Sequence, residues 1–176
     1  MPDLPSDLNE YRWMVAGFMK CILSPHEYIH LWTEAWSGGR AESSIHDHSY
    51  YFKSKVLFGE LKFTEYKVEM DSDGDYGLWS GVFFLGKCRL IKVEDFIIRT
   101  GETYEFGGPG RFHDIPDNNG TVMTHVLGIG KNLFYPIKFV FPLGVAPIDR
   151  VKNPTEPSRS EMKEEISMIY KELTHG

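Results

Sequence analysis

The sequence predicts a mainly β fold, a barrel or sandwich with one helix before it and one after it. Three observations carry this. Short runs rich in Val, Ile, Tyr, Phe and Trp recur from Tyr28 to Phe141, turns containing Gly, Pro or Asn-Gly separate them, and aromatic residues reach 14% of the chain. At 176 residues the chain suits one domain and is short for two.

From Ser6 to Leu23, the spacing of Leu8, Tyr11, Met14, Val15, Phe18 and Ile22 predicts a helix, capped by Ser6 or Asp7 and ended at Ser24-Pro25. Tyr28 to Trp36 reads as a strand, followed by a Ser37-Gly38-Gly39 loop. Ile45 to Glu69 reads as a hairpin or two strands broken at Gly59-Glu60. Asp71 to Asp75 is an acidic turn. It begins like a calcium loop but lacks the closing glutamate. Further strands are expected at Lys87–Val93, Phe96–Arg99, Thr103–Phe106, Arg111–Ile115, Thr121–Ile129 and Pro136–Phe141. A proline-rich strap runs from Gly144 to Pro157, and Ser160 to Leu173 forms an amphipathic helix. Ser158 and Glu161 make its capping box, and Met162, Ile166, Ile169 and Leu173 its apolar stripe, a core or dimer contact. The chain thus divides into a helical segment (6–23), a β core (28–142) and a strap with its helix (143–176).

A net charge of −6 argues against a nucleic-acid partner held through phosphates. Apolar runs fall short of the ~20 residues a bilayer span requires. Cys21 and Cys88 form no disulfide framework or C-x-x-C pair, and no signal peptide is evident, so a cytoplasmic protein is expected.

The chemistry concentrates in histidine. His46 and His48 are alternate residues of an extended segment, so both rings share a face. His113, from a later strand, can complete a set of three nitrogen ligands for a divalent metal, with positions left open for other ligands. His26 and His30 flank the first strand with no partner at ligand spacing and are read as ordinary surface or core residues, and His175 is set aside as part of a frayed tail. Asp47 points away from the pair and is read as structural. Parity puts Tyr50, Phe52, Ser54 and Val56 on the histidine face.

The run His46-Asp47-His48, followed by Gly59 and then by Gly107-Gly108-Pro109-Gly110-Arg111-Phe112-His113, resembles the two motifs of the cupin superfamily. Phe52 stands where that family's first motif has glutamate. Ser43-Ser44-Ile45-His46-Asp47-His48, Gly59-Glu60-Leu61 and His113-Asp114-Ile115 resemble the thiol dioxygenase branch, cysteine dioxygenase in particular, over roughly Tyr28 to Pro142. The resemblance implies a cupin-type β-barrel (jelly roll) with His46, His48 and His113 as ligands of Fe(II). Other divalent metals (Ni, Mn, Zn) are alternatives. It also implies oxidation of a small thiol to a sulfinate by O2.

The branch's Ser-x-His-x-Tyr string aligns with Met123 to Leu127, where only His125 is kept. His125 is therefore a candidate hydrogen-bond donor behind the ligands, or else a core residue. Phe52 also stands where some members carry a crosslinking cysteine. Arg40, Arg12 and Arg111 are candidates to clamp a substrate carboxylate, with Phe52 and Ser54 as pocket residues. Two alternatives stand beside the dioxygenase. One is a cupin that binds a small anion without chemistry. The other is a lyase, isomerase or hydrolase using Tyr50 or His125 as acid or base.

Overall fold

A computed structural model describes residues 3–14, 17–33, 36, 45–114, 120–129, 136–145 and 156–175. The predicted positions Val15, Arg40, Ser43, Ser44 and Ile115, and most of the strap, lie outside these. Eleven strands are described: β1 (Tyr11–Met14), β2 (Phe18–Ser24), β3 (Glu27–Trp32), β4 (Tyr51–Phe58), β5 (Glu60–Met70), β6 (Tyr76–Ser80), β7 (Phe83–Arg99), β8 (Thr103–Gly107), β9 (Phe112–Asp114), β10 (Val122–Ile129) and β11 (Lys138–Pro142). One helix follows, α1 (Arg159–His175).

The strands form two antiparallel sheets, ordered β1-β2-β3-β10-β4-β8 and β11-β6-β7-β5-β9. His46 bridges β9 at His113 and β11 at Phe139, and so links the edge strands of the second sheet. Take β3, the His46 segment, β4, β5, β7, β8, β9 and β10 as strands 1 to 8. The first sheet then reads 1-8-3-6 and the second 2-7-4-5. That interleaving of two Greek keys is the cupin-type jelly roll.

Alternation along each strand decides what is buried where. Phe52, Val56, Leu61, Phe63, Phe106, Val122 and Val126 fill the space between the sheets. The reverse of the first sheet presents Tyr11, Met19, Cys21, Ile29, Leu31 and Met123, which α1 covers with Met162, Ile166, Ile169 and Tyr170. The predicted stripe of α1 is therefore core, each buried side chain contributing roughly 1.5–3 kcal/mol. The capping box forms as expected: Ser158 N donates to Glu161 Oε2 (2.7 Å) and Glu161 N to Ser158 Oγ (3.3 Å). Gly59, between β4 and β5, has φ +80°, and a Cβ there would lie 2.3 Å from the Thr121 carbonyl oxygen, so only glycine fits this turn.

The N-terminal helix over 6–23 is overturned. After a short 3₁₀ turn (Leu8–Glu10), the segment is the hairpin of β1 and β2, paired as Tyr11↔Cys21 and Met14↔Phe18. Both faces of this hairpin meet apolar partners, so its apolar residues crowd both parities and imitate a helical stripe. Gly17, at φ 78°, turns the chain where a helix would have continued. The strands expected at Lys87–Val93 and Phe96–Arg99 are one strand, β7, and β6 lay unrecognised before it.

Candidate metal centre

His46 is placed by backbone bonds: its N donates to His113 O (3.0 Å) and its O accepts from His113 N (2.9 Å). Directly paired residues of antiparallel strands project to the same side. His46 and His113 therefore face one point, and His48, two residues on, joins them. The ring centroids lie 4.8 Å (His46–His48), 4.7 Å (His46–His113) and 4.9 Å (His48–His113) apart. One ligand nitrogen from each ring lies within 4.8 Å of the others.

Asp47, between the ligands, points the other way and is fully buried. Its Oδ2 accepts from Gly110 N (3.0 Å) and its Oδ1 from Lys138 N (2.7 Å). One carboxylate thus ties the H-x-H segment to the turn before His113 and to the start of β11. That turn depends on Gly107, at φ +101°, where a Cβ would sit 2.4 Å from the Tyr50 carbonyl oxygen.

The donor set suits a transition metal. His48 Nε2 and His113 Nε2 are 2.9 Å apart. Two nitrogens each ~2.1 Å from one ion at a right angle would lie about 3.0 Å apart. The same distance lets one neutral imidazole donate to the other. Burial, then the charges of the neighbouring histidines, holds His48 and His113 well below the ordinary histidine pKa, so both stay neutral and able to bind metal.

Phe52 lies 4.9 Å from His48, ring to ring, and is 5% exposed. It packs on Phe106 and Tyr104 and closes that side with hydrocarbon rather than a carboxylate. Tyr50 stands 6.0 Å from His48, and burial pushes its phenol up to about 12. Ser54 is fully buried on the same face, opposite Tyr104 on β8.

His125 is not part of this group. Its cross-strand partner is Lys55, whereas Phe52 and Ser54 pair with Gly128 and Val126, so its ring leaves the opposite face of the sheet. There His125 Nε2 meets Glu27 Oε1 at 2.8 Å. The expectation that it supports the ligands from behind is corrected by this parity. Arg40 lies outside the described residues. Arg12 is exposed on β1. Arg111 sits beside the site, over the Phe106 ring (4.4 Å), but both its contacts go to Glu65, at 2.8 and 2.7 Å.

Sequence reading missed His30. It lies on the inward face of β3, with its ring 4.6 Å from Phe18 and 5.9 Å from Trp32. Burial first, then the charges of Lys20 and His46, holds it well below its ordinary pKa.

No family model matches the chain, and no curated protein sequence does. Among solved structures, it is similar to Drosophila melanogaster CENP-C bound to CAL1, with 12% identity over 70% of this chain and 85% of that one, at a TM-score of 0.42. It is also similar to FeII HppE, with 11% identity over 73% of this chain and 58% of that one, at a TM-score of 0.42. A third similarity is to hydroquinone 1,2-dioxygenase PnpCD in complex with Cd2+ and 4-hydroxybenzonitrile. There identity is 13% over 64% of this chain and 63% of that one, and the TM-score is 0.37.

Proposed function

We propose that His46, His48 and His113 hold Fe(II) and that the protein oxidises a small thiol to a sulfinate. One O2 is consumed and both its atoms end on sulfur. The observation that supports this reading most is the closure of three imidazoles on one point, with Phe52 where a carboxylate ligand would stand. Three neutral ligands leave the full charge of a divalent ion in place, which favours an anionic sulfur ligand. A bound iron would supply the redox chemistry and the open coordination positions. Among this chain's own residues, Tyr50 keeps its proton at neutral pH and can donate from its hydroxyl. Phe52, Phe106 and Val126 exclude water from the inner wall. The substrate is a small molecule, and Cys21 and Cys88, both buried free thiols, favour a cytoplasmic setting. No described helix is long and apolar enough to cross a membrane.

The position of His125 favours a second reading, a metal cupin that captures a small anion without chemistry. The one residue kept from the Ser-x-His-x-Tyr string faces away from the ligands. Oxygen uptake by the anaerobically iron-loaded protein against a panel of small thiols separates the two. Uptake with a sulfinate product carrying both atoms of ¹⁸O2 supports the dioxygenase. Saturable thiol binding at full iron occupancy without uptake overturns it in favour of the binding protein.

A further inference from the structure

The register of the first sheet sets Arg12 (β1), Lys20 (β2), His30 (β3) and Thr124 (β10) side by side in one row. Two of these side chains are permanent or near-permanent cations and a third is an imidazole. Like charges directly across a ladder repel, yet no described carboxylate pairs with Arg12, Lys20 or His30.

The Lys20 ammonium lies 3.6 Å from the centre of the Tyr28 ring, a cation–π contact that positions it without neutralising it. Burial, then the charge of Arg12, lowers Lys20 to about 8, which leaves it mostly charged at neutral pH. Next to it, His30 Nε2 and Thr124 Oγ1 are both buried with no hydrogen-bond partner among the described residues. Buried polar atoms normally have partners. Two adjacent ones without any, beside an ammonium that no described carboxylate neutralises, describe a place suited to an acceptor. The row adjoins the histidine triad: Lys20 and His30 both act electrostatically on His48, and His30 also on His113.

We propose that Lys20, His30 and Thr124 form an oxyanion subsite that holds the carboxylate or phosphate end of a small ligand whose other end reaches the triad. The ammonium, the imidazole N–H and the hydroxyl are three donors carried by neighbouring positions of one row, and charge-assisted bonds to a ligand oxygen are the strong ones. The proposal rests on the triad being the centre at which the ligand is held. It supplies the anion recognition that neither Arg111, engaged by Glu65, nor the exposed Arg12 provides.

The test uses the full chain with ¹⁵N-labelled histidine, stripped of metal by chelator, so that its outcome does not depend on the triad being loaded. Propionate and inorganic phosphate are titrated separately while the imidazole resonances are followed by NMR, His30 being assigned with His30→Gln. A saturable shift of His30 by either probe is expected, and the tighter probe assigns the subsite to carboxylate or phosphate. Lys20→Met, which keeps the stem over Tyr28, should weaken that response about tenfold or more, and Lys20→Arg should retain it. A His30 signal that neither probe moves overturns the subsite, as does a Lys20→Met protein that responds like the wild type. Either result leaves the metal reading standing, because metal content is measured on its own.

Discussion

His48 Nε2 and His113 Nε2 lie 2.9 Å apart although 65 residues separate them. What joins them is the backbone pairing of His46 with His113, which brings the H-x-H segment across to β9. The site is thus built by two hydrogen bonds of an isolated bridge and by the period of two along an extended chain.

The pair makes the metal-free protein acid-sensitive. His30, His48 and His113 are all held well below their ordinary pKa, chiefly by burial. Unfolding therefore takes up protons below the unfolded histidine value of about 6.5, and stability falls as pH drops through that point. Each proton taken up adds a slope of about 1.4 kcal/mol per pH unit. Urea denaturation of metal-free protein should show stability flat from pH 8 to 7 and falling between pH 6.5 and 5. His48→Gln should reduce the slope. A flat profile down to pH 5 would mean that these rings titrate as freely as in the unfolded chain.

Asp47 is the strut of the site. Asp47→Ala removes the buried acceptor of two part-buried bonds, from Gly110 N and Lys138 N, and a hydrogen bond to a charged group is worth about 1.5–3 kcal/mol. A loss of roughly 2–5 kcal/mol in urea denaturation is expected, with weaker zinc binding because the turn before His113 is released. A loss under about 0.5 kcal/mol would show that water replaces both bonds.

His125→Ala should leave metal stoichiometry and affinity unchanged, since the ring faces away from the triad and contacts Glu27. The partly exposed pair should cost under about 1 kcal/mol. A tenfold loss of metal affinity would return His125 to the site.

Phe52→Glu converts the donor set to three histidines and a carboxylate. Loss of a buried ring and burial of an unpaired acid should cost the metal-free protein roughly 3–5 kcal/mol. Zinc should then raise the melting temperature more in the variant than in the wild type. An equal rise would place Phe52 away from the ligand position.

The legible part of the fold followed from local pattern. Alternation in β4 and β10, the glycine at position 59 and the α1 stripe each needed only a few neighbouring residues to read, and His46 and His48 needed only strand parity. The illegible part depended on partners far off in sequence. A hairpin with apolar contacts on both faces looks helical, and once β2 was read as helix the row Lys20, His30, Thr124 could not be seen, because it exists only through register. β7 looked like two strands because Glu94-Asp95 is polar. There Asp95 is held on the surface by Lys92 (2.5 Å) and Thr64 (2.8 Å), and the pairing with β5 shifts register at Val93 without ending the strand. His125 was misplaced because a motif match carries a position along the chain but not the face its side chain takes.

The claim on which the account turns is that the three imidazoles bind one ion together. Metal content after anaerobic loading with Fe(II) and gel filtration, compared between the wild type and His48→Ala, tests it most directly. One ion per wild-type chain is expected, and almost none in a variant that keeps its far-ultraviolet circular dichroism. Full occupancy in His48→Ala, or none in the wild type, would contradict it.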